Sequence, residues 1–172
     1  CVLYPAPLRD FLLRLAITGL FSAKWTDQIH DEWVRNVLKK RPELKDKLPR
    51  TRELMNRAVP DATVTGYESL ITGLDLPDIN DRHVLAAAIR AGAQAIITFN
   101  LKDFPEEVLR TYGIEAIHPD TFIEDLFDLH QSDVIKTAHQ QFSALRSPPK
   151  TPEQYVETLA AQGLVIVAKK LK

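Results

Sequence analysis

The stretch PDINDRHVLAAAIRAGAQAIITFNLKDFP, residues 77–105, limits the fold more tightly than any other part of this chain. It predicts a helix over Asp81–Ala91, a Gly92 C-cap, and then a strand over Ala95–Phe99. That strand is continuously apolar and rich in β-branched residues, the pattern of strands buried on both faces of a parallel sheet. A helix feeding such a strand through a glycine is one half-turn of an α/β layer architecture.

The flanking sequence continues the alternation. Glu106–Tyr112 predicts a helix closed by Gly113, Ile114–Ile117 a short strand, and Asp120–Leu129 another helix. Upstream, Pro5-Ala6-Pro7 leads into a helix whose Leu8, Phe11, Leu12, Leu15 and Ala16 share one face, with Gly19 closing it. Phe21–Trp25 and Ala62-Thr63-Val64 read as short strands. Thr26 is an N-cap for a helix reaching Lys40, with Ile29, Trp33, Val37 and Leu38 on its apolar side. A further helix starts near Pro42 and runs through Leu44, Leu48, Leu54 and Met55, broken or kinked at Pro49. Past residue 131 no strand is expected. Ser132 caps one helix, Ser147-Pro148-Pro149 forms a linker, and Thr151-Pro152-Glu153-Gln154 opens a last helix. The expectation is therefore an α/β domain over 1–130 with a mostly parallel central sheet, and a C-terminal helical pair over 131–172.

Composition narrows the function less. The chain has 172 residues, a net charge of -1 and a pI near 6.6, so no global basic field announces nucleic acid. A single cysteine leaves no disulfide framework and no cysteine-based zinc site, which suits a reducing cytosol and a cytoplasmic protein. No apolar run approaches membrane-spanning length, and no secretory signal is present. Cys1 is followed by Val2, Leu3 and Tyr4 instead of a polar tether, which argues against a lipid-anchored terminus. These four residues read as the tail of a buried strand whose beginning is missing. Nucleophile motifs and glycine-rich phosphate loops are absent.

The acids carry the remaining signal. Asp78 and Asp81 straddle a helix start, three residues apart and on one face of its first turn. Asn100 and Asp103 follow the strand 95–99, at the carboxyl end where α/β sites assemble. Each pair alone is explained as well by capping and turn formation. Together they gain weight, because one structural unit brings both to the same sheet edge. Glu32 lies in Asp31-Glu32-Trp33 on the helix after Thr26, where Asp27 and Asp31 are equally available and periodicity does not decide among them. Glu32 does share a side with Ile29. His83 reads as a packing or surface histidine. The cluster Lys39-Lys40-Arg41 with Lys45, Lys47, Arg50 and Arg52 reads as a solvated helical surface or, less simply, as a face that tracks phosphate.

Residues 77–105, with DEWVRNVL and the opening CVLYPAPLRDFLLRLA, resemble the PIN domain family, nearest its VapC-type toxin ribonucleases. The resemblance covers roughly residues 1–127 and implies the three-layer PIN-like α/β fold. It implies Glu32, Asp81 and Asp103 as catalytic acids and metal ligands. Asn100 lines the same pocket, and Asp78 stands beside it as a further ligand. It also implies Mg²⁺ or Mn²⁺ as cofactor, RNA as substrate, an antitoxin protein as partner and a homodimer as an assembly. The family's first acid, an aspartate on strand one, falls before Cys1. The expected function is therefore a metal-dependent endoribonuclease, with an inactive PIN-fold interaction module as the alternative if that acid is lacking.

Overall fold

Glycine and proline divide the chain into short helices, and packing gathers them into two separate units. The computed structural model describes residues 1–146 and 148–172; the linker residue Ser147 lies outside the described residues. One unit comprises Ala23–His118 together with Cys1; the other comprises Val2–Ser22 and Pro119–Lys172. The packing thus divides the chain elsewhere than at 130/131.

In the first unit, α2 (Asp27–Lys40) begins at Thr26, whose side chain accepts a hydrogen bond from Ile29 N. The predicted helix from Pro42 resolves into a 3₁₀ turn, Pro42–Leu44, and a separate α3, Leu48–Ala58. Pro49 falls in the first turn of α3, where its missing N–H costs nothing, so the chain breaks before the proline and starts afresh. Leu54 consequently faces solvent while Met55 is buried. The two predicted strands at 21–25 and 62–64 shrink to one parallel bridge, Trp25 with Thr63, held by Trp25 N→Ala62 O and Val64 N→Trp25 O.

The 77–105 unit forms as its sequence predicts, with tighter limits. A 3₁₀ turn, Ile79–Asp81, precedes α4 (Arg82–Ala91), which ends on Gly92 at φ 61°, ψ 34°. That left-handed conformation requires glycine. Next comes β1 (Ala95–Ile97), then α5 (Glu106–Leu109) and β2 (Glu115–Ile117). The strands pair in parallel with Ala95 opposite Glu115 and Ile97 opposite Ile117. Leu85, Ala86, Ala87 and Ala88 of α4 pack on Ile96, Phe104, Leu109 and Ile114. The α/β reading holds, although the sheet is small: two strands among the described residues, with the Trp25–Thr63 bridge apart from it.

The second unit is helical. It combines α1 (Ala6–Ile17), α6 (Pro119–Leu129), α7 (Gln131–Ala144), α8 (Pro152–Ala161) and α9 (Val165–Lys170). Leu8, Phe11, Leu12 and Leu15 of α1 join Ile123, Leu126, Phe127, Val134, Leu159 and Val167 in one core. Among the described residues three helices, not two, follow residue 130, because Gly163 at φ 88° turns the chain between α8 and α9. α7 starts at Gln131, one residue before the expected Ser132 cap. α8 carries the capping box that its sequence announces, Thr151 with Gln154. α9 is only six residues long and is capped from a distance: the Asp120 carboxylate accepts from Ile166 N at 2.8 Å and Val167 N at 3.0 Å. Val2 and Leu3 form a turn, followed by a bend at Tyr4, and not the end of a strand; the Leu3 carbonyl accepts from the Arg9 guanidinium at 2.6 Å instead of from a neighbouring strand.

Candidate metal centre

Three of the predicted acids meet. Carboxylate oxygens of Asp78, Asp81 and Asp103 lie within 4.8 Å of one another, each side chain half-buried. Asp78 and Asp81 sit at either end of the 3₁₀ turn before α4, and Asp103 ends the turn after β1. The capping explanation accounts for only one of them. Asp78 accepts from Asn80 N at 2.8 Å, whereas Asp81 makes no side-chain capping bond. Asn100 is drawn in as expected: its Nδ2 donates to Asp103 Oδ2.

Glu32 stands outside that trio but close to it. Burial pushes the Asp81 carboxyl above the usual aspartate range, and the negative charges of Asp78, Asp103 and Glu32 push it further, against a smaller pull from His83. The structure also separates Glu32 from its acidic neighbours. Asp27 and Asp31 both pair with Arg52, at 2.5 and 2.7 Å, which uses them as surface charges and takes Arg52 out of the basic cluster. Glu32 turns the other way, its Oε1 2.8 Å from His83 Nε2.

The helix that carries Glu32 is fixed by a buried polar network. Trp33 Nε1 donates to His30 Nδ1 at 3.0 Å, which leaves His30 Nε2 to donate to Asn56 Oδ1 at 3.1 Å. The same Asn56 oxygen accepts from Trp25 Nε1 at 2.8 Å, tying α2 to α3 and to the bridge. Burial holds the His30 imidazole below its ordinary range, in keeping with this neutral tautomer.

Of the two readings offered for His83, packing or surface, the structure gives packing. It is 3% exposed, and neither ring nitrogen makes a well-aligned hydrogen bond among the described residues. Its Nε2 therefore approaches Glu32 Oε1 off the ring's N–H direction. Nothing in its spacing pointed to Glu32 as its neighbour. Gln28, Arg35 and Asn36 were passed over. All three line a cavity together with Glu32, Asp81 and His83. Their signal was available, since they lie four before, three after and four after Glu32 on the same helix face.

An all-carboxylate set with an amide beside it suits hard divalent cations such as Mg²⁺ or Mn²⁺, which take oxygen ligands. The mutual repulsion felt at Asp81 is what such a cation would relieve, so the residues present fit the group.

This arrangement, acids from a helix start and a strand end beside a small parallel sheet, agrees with what sequence comparison finds. Residues 1–102 match the PIN domain model, and residues 119–172 match a model described as the VapC50 C-terminal domain. The chain belongs to the PIN domain family, on its VapC-type branch. It is 39% identical over 104 residues to a Mycobacterium tuberculosis (strain ATCC 25618 / H37Rv) protein named "Putative ribonuclease VapC50". The aligned stretch covers 60% of this chain and 61% of that protein's length. No solved structure matches significantly. Among the described residues no helix is long and apolar enough to cross a membrane.

Proposed function

We propose that this chain is a metal-dependent endoribonuclease and the toxin of a toxin–antitoxin pair. The observation that carries the reading is the convergence of Asp78, Asp81 and Asp103 within 4.8 Å, with Glu32 near enough to perturb Asp81. In this reading Asp81, Asp103 and Glu32 are the catalytic acids, and together with Asp78 and Asn100 they would hold the ion. Bound Mg²⁺ or Mn²⁺ supplies Lewis acidity, polarising a phosphodiester and making water a stronger nucleophile. The chain's own contribution is to set the donors in advance. Asn100 restrains Asp103 through its amide, the Trp33–His30–Asn56 network fixes the helix bearing Glu32, and the helix start at Arg82 fixes Asp81. Preorganised charge of this kind avoids reorganisation during the reaction.

The name of the relative and the family match support RNA as substrate and an antitoxin protein as partner. A homodimer follows from the family resemblance alone. The test is cleavage of single-stranded RNA with Mn²⁺ or Mg²⁺. Asp81→Ala and Asp103→Ala should each lower the rate by about 100-fold or more, the scale of losing an electrostatic catalytic group. Equal cleavage by both variants and the unaltered protein would end this reading.

A further inference from the structure

The face of α2 that presents Glu32 continues past it. Gln28, Arg35 and Asn36 share with Asn80, Ile79 and His83 a cavity of about 470 Å³, and Glu32 and Asp81 belong to the same lining. This volume lies within the range of small-ligand pockets. The cavity is continuous with the acids but differs from them in chemistry.

Arg35 is exposed and has no ion pair among the described residues, whereas Arg52 is already bound by Asp27 and Asp31. Its guanidinium is the cation of the lining, and an oxyanion such as phosphate is its natural partner. The carboxamides of Gln28, Asn36 and Asn80 offer donors and acceptors together, which suits the polar edge of a nucleobase better than a bare phosphate. Asn80 already donates to Asp78 Oδ1, leaving its carbonyl for a ligand. Ile79, 66% exposed, and Ile71 are the apolar part of the lining, a surface against which a planar base can lie. His83 supplies the independent observation. It is buried; its Nε2 lies 2.8 Å from Glu32 Oε1, while its Nδ1 has no hydrogen-bond partner among the described residues. Buried polar atoms left without a partner are costly and call for one.

We propose that this cavity seats one unpaired nucleotide of the RNA strand beside the carboxylates, with Arg35 on a phosphate and Gln28, Asn36 and Asn80 on the base edge. The inference rests on the nuclease reading and adds a specificity subsite to it. The three side chains to be changed, Gln28, Arg35 and Asn36, are exposed; Gln28 alone touches the core, its Oε1 accepting a long 3.5 Å bond from Tyr67 OH.

The experiment measures anisotropy of short fluorescent single-stranded RNAs, homopolymers of each base, on the full chain in Ca²⁺ over a range of salt. Arg35→Ala should weaken every RNA alike, by about fivefold or more, and reduce the slope of log affinity against log salt by about one. Gln28→Ala with Asn36→Ala should narrow the differences among homopolymers and leave that slope intact. Calorimetric Mn²⁺ binding should be the same in all variants, which separates this subsite from the metal centre. Variants that bind every RNA like the unaltered protein overturn the proposal, as does absence of RNA binding by the unaltered protein. Competition by free nucleoside monophosphates at concentrations matching RNA nucleotides also overturns it, since the occupant is then a free nucleotide. If binding changes as expected but Mn²⁺ elicits no cleavage, the subsite stands and the nuclease reading alone fails.

Discussion

Tyr155 shows how much a single buried hydroxyl organises. Its OH donates to Gln141 Oε1 at 2.8 Å, and Gln141 Nε2 donates to the Pro7 carbonyl and to Asp10 Oδ2, each at 2.9 Å, so three helices share one side chain. Burial pushes the phenol well above its usual range, and Asp10 adds to the shift while Arg14 opposes it. The folded chain therefore holds this proton more tightly than the unfolded chain does. The resulting stability is complete below about pH 10 and is lost as pH rises beyond it. Tyr155→Phe should cost about 1–3 kcal/mol near neutral pH by orphaning Gln141 Oε1, and should flatten the alkaline loss. Denaturant titrations followed by circular dichroism at neutral and alkaline pH check both. None of this was legible beforehand: a glutamine in a polar-looking helix gives no sign that it will be buried. The acids were half legible. Spacing brought forward Asp78, Asp81, Asn100 and Asp103, but only the position of Arg52 showed why Glu32, and not Asp27 or Asp31, faces the others.

Among the elements, the helix–Gly–strand unit of 82–97 was the easiest to read, because glycine, apolar run and β-branched residues all indicate the same local structure. Its stop signal is testable. A methyl group at Gly92 meets no atom within 4 Å, so Gly92→Ala is opposed by its positive φ alone. It should destabilise by about 1–2 kcal/mol. Gly73 has equal space and no positive φ, so Gly73→Ala should be neutral or stabilising by up to about 1 kcal/mol. Thermal unfolding of the two variants side by side decides the matter. The short elements were misread for a consistent reason. The strands expected at 21–25 and 62–64 became one bridge, because strand length depends on a partner and not on local propensity, whereas the break expected at Pro49 did divide the helix from Pro42. α9 makes the same point: six residues do not hold a helix by themselves, and the cap comes from Asp120.

For the whole molecule, a net charge of -1 conceals a local concentration of negative charge in one unit. Both tryptophans, Trp25 and Trp33, are buried in that unit, so their fluorescence reports its unfolding. Mn²⁺ at about 100 times its dissociation constant should add about 2.7 kcal/mol, a rise of about 5–10 °C in the transition. Asp81→Asn should behave oppositely. Freed from like-charge repulsions of a few tenths of a kcal/mol each, it should melt about 1–3 °C higher without the ion and respond little to it. A variant that gains as much from Mn²⁺ as the parent would remove Asp81 from the centre. The sequence by itself determined the α/β alternation, the helix caps at Thr26, Thr151 and Gly92, and the two acidic pairs, because each is written in residues within a few positions of one another. Tertiary structure alone decided that α1 packs with α6–α9, that Glu32 meets His83, and that Arg52 takes Asp27 and Asp31. Those partners are separated by tens of residues. Local propensity carries no information across such gaps, and the burial of apolar faces is what closes them.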